Sequence, residues 1–511
     1  MIGTSLPEYL FIRACILALR ILTPFSVFFV FFSIAEPPSS RFRTFLLAWS
    51  VLETAFWLLV YLPRKRSLQT PARHPPPLDR EKRQELFHRC CEHVPNPEYY
   101  LNKWFLGARS AAIRRDNVKD FFRWAMLNKG DSEKKQLANQ TQQDREEDEE
   151  LEGYVDGIET LIGRKIDGGR GTAESLRLTV DEVRMLHRPF LWYLIVGVVD
   201  TLTAVYLRYN GFILHRTSYR DLLCVFPWRV CALFTRHKSL APKLSYWYRP
   251  HTSKTRLPVL FIHGISIGLY SYAQFLAEIN KHDPLGPDDG EIGIIALEIM
   301  PISFRITGPV LDKEEMCRQI NQILEGHGFD KVVLASHSYG SIITTHLLQT
   351  HAVAQKVGPM VLIDPVTFLL HLPDVCYNFT ARHPRRANEH QLHYFASTDM
   401  MVAHTLARNF FWSENIIWKE DLRGHDVTVS LGGRDLIVDT ETVGKYLAGV
   451  DMRDDDTSWK ESDFVDYGVR LLWWGTFDHA QVFERRDGRY GLGERIREYT
   501  GLGRENEEEV A

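Results

Sequence analysis

The run KVVLASHSYGSIITTHLL, Lys331 to Leu348, constrains the fold more than any other segment of the 511 residues. Val332 to Ala335 have strand composition, a turn of small and polar residues surrounds Ser338, and Ile342 to Leu348 have helical composition. A strand that turns at once into a helix needs neighbours built the same way. The stretch after Leu257 supplies them as short apolar runs separated by helical segments: PVLFIHG, IGIIALEI, PMVLIDP, DVTVSLGG and VRLLWWGTFDHA. That alternation predicts a mostly parallel sheet with helices on both faces. The Val/Ile/Leu content suits strands covered on both sides, and polar residues stand just past their carboxyl ends, where open α/β sheets bind ligands.

A serine hydroxyl is a weak nucleophile until a sharp turn presents it and a base takes its proton, and such a turn requires small residues two before and two after. Here these are Ser336 and Gly340, with His337 and Tyr339 between them and Ser338. On this segment the chain resembles the α/β-hydrolase superfamily, whose signature is Gly-x-Ser-x-Gly, over about Leu257 to Gly501; Ser336 departs from the first glycine. The resemblance implies the α/β-hydrolase fold with a lid insertion, a serine nucleophile, and an acid and a histidine following it in that order. The matching positions are Asp435, after the strand of DVTVSLGGRDLIVD, and His479, after RLLWWGTFDHA, with Ala480 where a glycine is common. His479 would take the Ser338 proton while Asp435 fixes its tautomer. Asp364, in LIDP, is the alternative acid, and His425 is a poorer base because it precedes its strand. In LFIHGISIG the likeness implies backbone donors for the oxyanion at Ile265 and Tyr339, with His263 and Gly264 shaping the loop. No metal or organic cofactor is implied.

The amino-terminal end reads differently. Ala14 to Ala35 carries one charge, Arg20, and Thr44 to Leu62 carries one, Glu53. A helix needs roughly 20 residues to cross the hydrocarbon of a bilayer, so the two form a transmembrane hairpin turned by EPPSSRFR. Arg64, Lys65, Arg66 and Arg73 follow the second span, which favours a cytosolic body. A third apolar stretch, Pro189 to Leu207, holds Asp200 near its middle and reads as a helix lying in the interface or packed on the body. Were it to span, the body would be luminal.

The expected organisation is a transmembrane hairpin over 1–66, a helical module over 67–130, an acidic linker over 131–153, a helical and interfacial region over 154–250 with the apolar segment 189–207, a hydrolase domain over 251–501 with its lid at about 365–426, and an acidic tail over 502–511. The aromatics Trp104, Phe105, Phe121, Phe122 and Trp124 read as packing of the helical module. Net charge is −4 with the acidic excess local, which offers no nucleic-acid face. Seven cysteines without CxxC or Cys/His ligand spacing point to reduced thiols. Together these features point to a multi-pass, membrane-anchored serine hydrolase of the lipase or carboxylesterase kind, acting on a hydrophobic ester and resembling membrane-bound members from fungi. An acyltransferase or peptidase of the same fold, and an inactive membrane-tethered binding protein, are the alternatives.

Overall fold

The computed structural model describes residues 2–130, 142–281, 289–461 and 468–501. Its centre is an eight-stranded sheet: β1 (Ile213–His215), β2 (Ser245–Arg249), β3 (Val259–Ile262), β4 (Ile294–Glu298), β5 (Val332–His337), β6 (Val357–Ile363), β7 (Val427–Gly432) and β8 (Val469–Trp474), in the order β1-β2-β4-β3-β5-β6-β7-β8. β1, β2 and β4 pair antiparallel; every other neighbouring pair is parallel. All six apolar runs read from the sequence are strands of this sheet.

Successive residues of the central strands alternate between two cores, as a period of two requires. Leu260, Ile262, Leu334 and Leu362 face one, covered by helices Lys313–Gly326, Gly340–Gln349 and Thr440–Ala448. Val259, Phe261, Val333 and Val361 face the other, under Ala273–Glu278 and Arg486–Gly501. With both faces covered, β3 to β7 are buried along their full length, which explains why they read as continuous apolar runs.

Two expectations need correction. The region 154–250 contributes β1 and β2 to the sheet, so the hydrolase fold begins ahead of residue 251. SYWYR is β2, paired antiparallel with β1 on one side and β4 on the other, and its run of aromatics gives no clean alternation. The acidic linker is helical in its described part: Gln142–Ile162 buries Leu151, Tyr154 and Val155 against Phe87 and Phe122. Its carboxylates are paired with the module, Glu150 accepting from Arg83 at 2.8 and 2.6 Å and Glu152, Asp156 and Glu159 lying within 2.8 Å of Arg115. An acidic face that meets a basic one packs instead of solvating. Residues 131–141 and the acidic tail lie outside the described residues.

Among the described residues three helices are long and apolar enough to cross a membrane: Leu6–Ala35, Arg41–Ser67 and Phe190–Tyr209. The first two pack side by side, and Thr23 Oγ1 of one donates to Glu53 of the other at 2.8 Å. The fully buried Glu53 carboxylate also accepts from the Phe190 N–H at 3.0 Å, capping the amino end of the third helix. That helix lays one face on the body through Trp192, Val196, Ala204 and Leu207. Midway along it, Asp200 meets Arg305 at 2.7 Å and Arg229 at 3.2 Å, and Arg229 in turn forks onto Glu298 of β4 at 2.5 and 2.6 Å.

The segment expected as a lid, 365–426, is largely helical and lies against the first membrane-type helix. Ile12 and Ile16 pack on Ala387 and Tyr394, while the Arg188 guanidinium sits 3.9 Å over the Tyr394 ring.

Candidate active site

Strand β5 ends at His337, the chain turns at Ser338, and helix Gly340–Gln349 begins. Ser338 has φ +50°, a left-handed conformation unusual outside glycine, and it holds the side chain clear of its neighbours. The turn is possible because β3 passes beneath it: a Cβ on Gly340 would lie 2.4 Å from the Ile262 carbonyl oxygen. Ser336 is tolerated where a glycine is usual because its Oγ is buried and accepts from Thr344 Oγ1, one turn into the helix, at 2.8 Å. Ser341 Oγ donates back to the Ser338 carbonyl at 2.6 Å and accepts from the Val366 N–H at 3.1 Å, fixing the elbow against the lid base.

The three residues expected to converge do so. Ser338 Oγ is 2.9 Å from His479 Nε2, and His479 Nδ1 is 2.7 Å from Asp435 Oδ2. Asp435 is held by N–H groups of Ile437 and Val438 on its other oxygen, at 2.7 and 2.9 Å. With Nδ1–H donating to Asp435, Nε2 is free to accept the serine proton. Burial works to lower the His479 pKa, but the facing Asp435 outweighs it and, helped by Asp364 and Asp478, raises the value to about 9.

Asp364, the alternative acid, is engaged elsewhere. Its oxygens accept from the Gly432 N–H at 3.0 Å and the Ala480 N–H at 2.8 Å, so it staples the end of β7 to the turn that carries His479. Ala480 takes the left-handed φ of +66° there. Donor atoms of Asp364, Asp435 and His479 lie within 4.8 Å of one another, a spacing a cation could share, yet both ring nitrogens of His479 already have partners. His425 contacts the Gly358 carbonyl and takes no part.

The loop after β3 closes over the serine. A Cβ on Gly264 would lie 2.8 Å from Ser338 Cβ and 2.7 Å from His337 Nδ1, so only glycine allows this approach. His263 is fully buried, close to its neighbour's carbonyl through Nδ1 and accepting from the Ile299 N–H at 2.9 Å through Nε2; burial depresses its pKa. Ile265 and Tyr339 line one cavity with Ser338, and among the described residues neither N–H donates to a protein acceptor.

Several contributors carry no mark in the sequence. The Tyr272 hydroxyl accepts from the Gly264 N–H at 3.1 Å and lies 2.9 Å from His337 Nδ1, tying the loop to the elbow. Burial brings the pKa of His337 down to about 4, so it stays neutral beside His479. Asn388, on the short helix against which Leu6–Ala35 packs, donates to Asp478 Oδ2 at 2.7 Å, and Asp478 Oδ1 accepts from the His479 and Leu436 N–H groups at 2.8 and 3.0 Å.

Residues 258–418, from β3 through most of the segment expected as a lid, match the alpha/beta hydrolase fold family. No curated protein matches the chain in sequence. Among solved structures it is similar to a bacterial membrane phospholipase A, described as a virulence factor, at 14% identity and TM-score 0.37 over 62% of this chain and 94% of that one. It is also similar to carboxylesterase CesB from Bacillus subtilis, at 11% and 0.35 over 60% and 98%. A thermophilic esterase from Thermogutta terrifontis aligns at 14% and 0.35 over 50% and 94%. The region bearing Ser338 is therefore an alpha/beta hydrolase in fold.

Proposed function

We propose that this protein is a membrane-anchored serine hydrolase that cleaves carboxylic esters of lipid-like character through an acyl-enzyme. The observation that carries this reading is the unbroken line of hydrogen bonds from Asp435 through His479 to an alcohol on a left-handed elbow. In the first step Ser338 Oγ attacks the ester carbonyl as His479 Nε2 takes its proton. The oxyanion draws on the N–H groups of Ile265 and Tyr339. The ester C–O bond then breaks, His479 returns the proton to the departing alcohol, and water, deprotonated by the same ring, later releases the acid from Ser338.

Support for a hydrophobic substrate comes from the cavity at Ser338, whose walls include Leu370, Phe379, Leu406 and Phe410. The anchoring half of the proposal rests on Leu6–Ala35 and Arg41–Ser67, with exposed Phe11, Phe28, Phe31 and Leu59 facing outward as they would toward lipid. Asp200 paired with body arginines argues that Phe190–Tyr209 lies on the body at the interface and does not cross.

The direct test is labelling of the full-length protein in membranes with a fluorophosphonate. We expect one adduct, on Ser338, lost in Ser338→Ala; labelling that persists in that variant refutes the nucleophile.

A further inference from the structure

The cavity at Ser338 has a neighbour. The first, about 60 Å³, runs from Ser338 to Trp412. The second, about 100 Å³, lies among helices Arg80–Glu92, Pro97–Trp104, Arg115–Leu127 and Gln142–Ile162 of the amino-terminal module, closed by His371, Leu372 and Trp412. Each exceeds several-fold the roughly 10–15 Å³ that a single water occupies. Trp104, Trp124 and Trp412 line both cavities, which are therefore adjacent and share these indoles.

The way those rings are held matters. Trp104 Nε1 donates to the His371 carbonyl at 3.3 Å, Trp124 Nε1 to Thr179 Oγ1 at 2.7 Å, and Trp412 Nε1 to the Ala125 carbonyl at 2.8 Å. Each polar edge is thus satisfied, leaving carbon faces for the cavities. The second chamber is likewise walled by carbon and thiol, including Phe87, Cys91, Phe122, Ala125 and Ile158. Close-packed interiors leave few voids larger than a water molecule, and a dry apolar chamber accepts hydrocarbon.

We propose that the second cavity is an acyl-chain chamber: the far end of a long, unbranched acyl group held at Ser338 passes the shared tryptophans and lies within the helical module. The substrate class is then the long-chain ester, and helices Arg80–Glu92, Pro97–Trp104, Arg115–Leu127 and Gln142–Ile162 belong to the binding site. This assignment rests on the acyl-enzyme reading of Ser338. It also gives a physical reason for a module otherwise unconnected to the chemistry: without it the chain's end has no apolar surroundings on that side.

The test uses hexadecyl fluorophosphonate bearing a diazirine at the far end of its alkyl chain, on the full-length protein in membranes. After photolysis, peptide mapping is expected to place the head on Ser338 and the tail on these four helices. A head on Ser338 with the tail crosslinked to the membrane helices or the lid exterior overturns the chamber. Free hexadecanoic acid with the same terminal diazirine, applied to Ser338→Ala, reads the chamber independently. Crosslinks within the same helices there, with no serine adduct in the parent protein, would retain the chamber and refute the nucleophile. Their absence in both probes overturns the chamber. Cys91→Phe, which narrows the chamber from its outer helix, should lower the ratio of kcat/KM for hexadecanoyl over butanoyl p-nitrophenyl ester at least tenfold. A ratio within twofold of the parent in a variant that still takes the fluorophosphonate overturns the proposal.

Discussion

On the proposed mechanism His479 acts as the neutral ring, and Asp435 raises its pKa to about 9. We expect kcat/KM to climb with pH and level off near 9, and Asp435→Asn to move that limb toward the ordinary histidine range while lowering turnover by orders of magnitude. Stability should run the opposite way. Because the folded pKa lies above the unfolded one of about 6.5, the ion pair's contribution is complete below 6.5 and fades as pH rises through about 9, which thermal melts across that window would read. Steric demands at the elbow are equally specific: Gly340→Ala drives a Cβ to 2.4 Å from the Ile262 carbonyl oxygen and should cost about 3 kcal/mol, seen as a lowered Tm together with lost labelling. The convergence of Ser338, Asp435 and His479 was legible because each follows a strand in the order the resemblance implies, with the small Ser336 and Gly340 flanking the serine. The staple role of Asp364 was not, since a carboxylate that accepts backbone N–H groups looks in sequence like one that orients an imidazole. Tyr272 and Asn388 act across 65 and 90 positions of chain, a distance over which no local pattern reports.

Among elements, the parallel strands were readable because burial on both faces removes polar residues from them, while β1 and β2 at the antiparallel edge were hidden in a stretch dominated by an apolar helix. The helix Gln142–Ile162 was obscured by its acids, whose basic partners Arg83, Arg115 and Lys119 lie elsewhere in the chain. The third apolar helix owes its seat to charge as well as burial. Removing Asp200 leaves Arg305 without the carboxylate 2.7 Å away, and breaking a buried ion pair on one side costs about 3–5 kcal/mol. Asp200→Asn should therefore unfold at distinctly lower temperature, and the double variant Asp200→Leu/Arg305→Met should recover much of the loss; equal melting of parent and single variant would show the cluster to be idle.

For the whole molecule, the hairpin Leu6–Ala35 and Arg41–Ser67 predicts retention in membranes after alkaline carbonate washing and release only by detergent. If the expected topology holds, with Arg64, Lys65 and Arg66 on the cytosolic side, protease added to sealed vesicles of cytosol-out orientation should digest the body. The first helix of the hairpin also touches the body near the site. Ile12 and Ile16 are seated on Ala387 and Tyr394, and the neighbouring Asn388 reaches Asp478, the residue before the triad histidine. Choice of solubilising agent is for that reason a chemical variable in any assay: a micelle that peels the first helix from its seat loosens the imidazole's support two contacts away, and turnover measured in different surfactants will disagree although Ser338 itself is untouched.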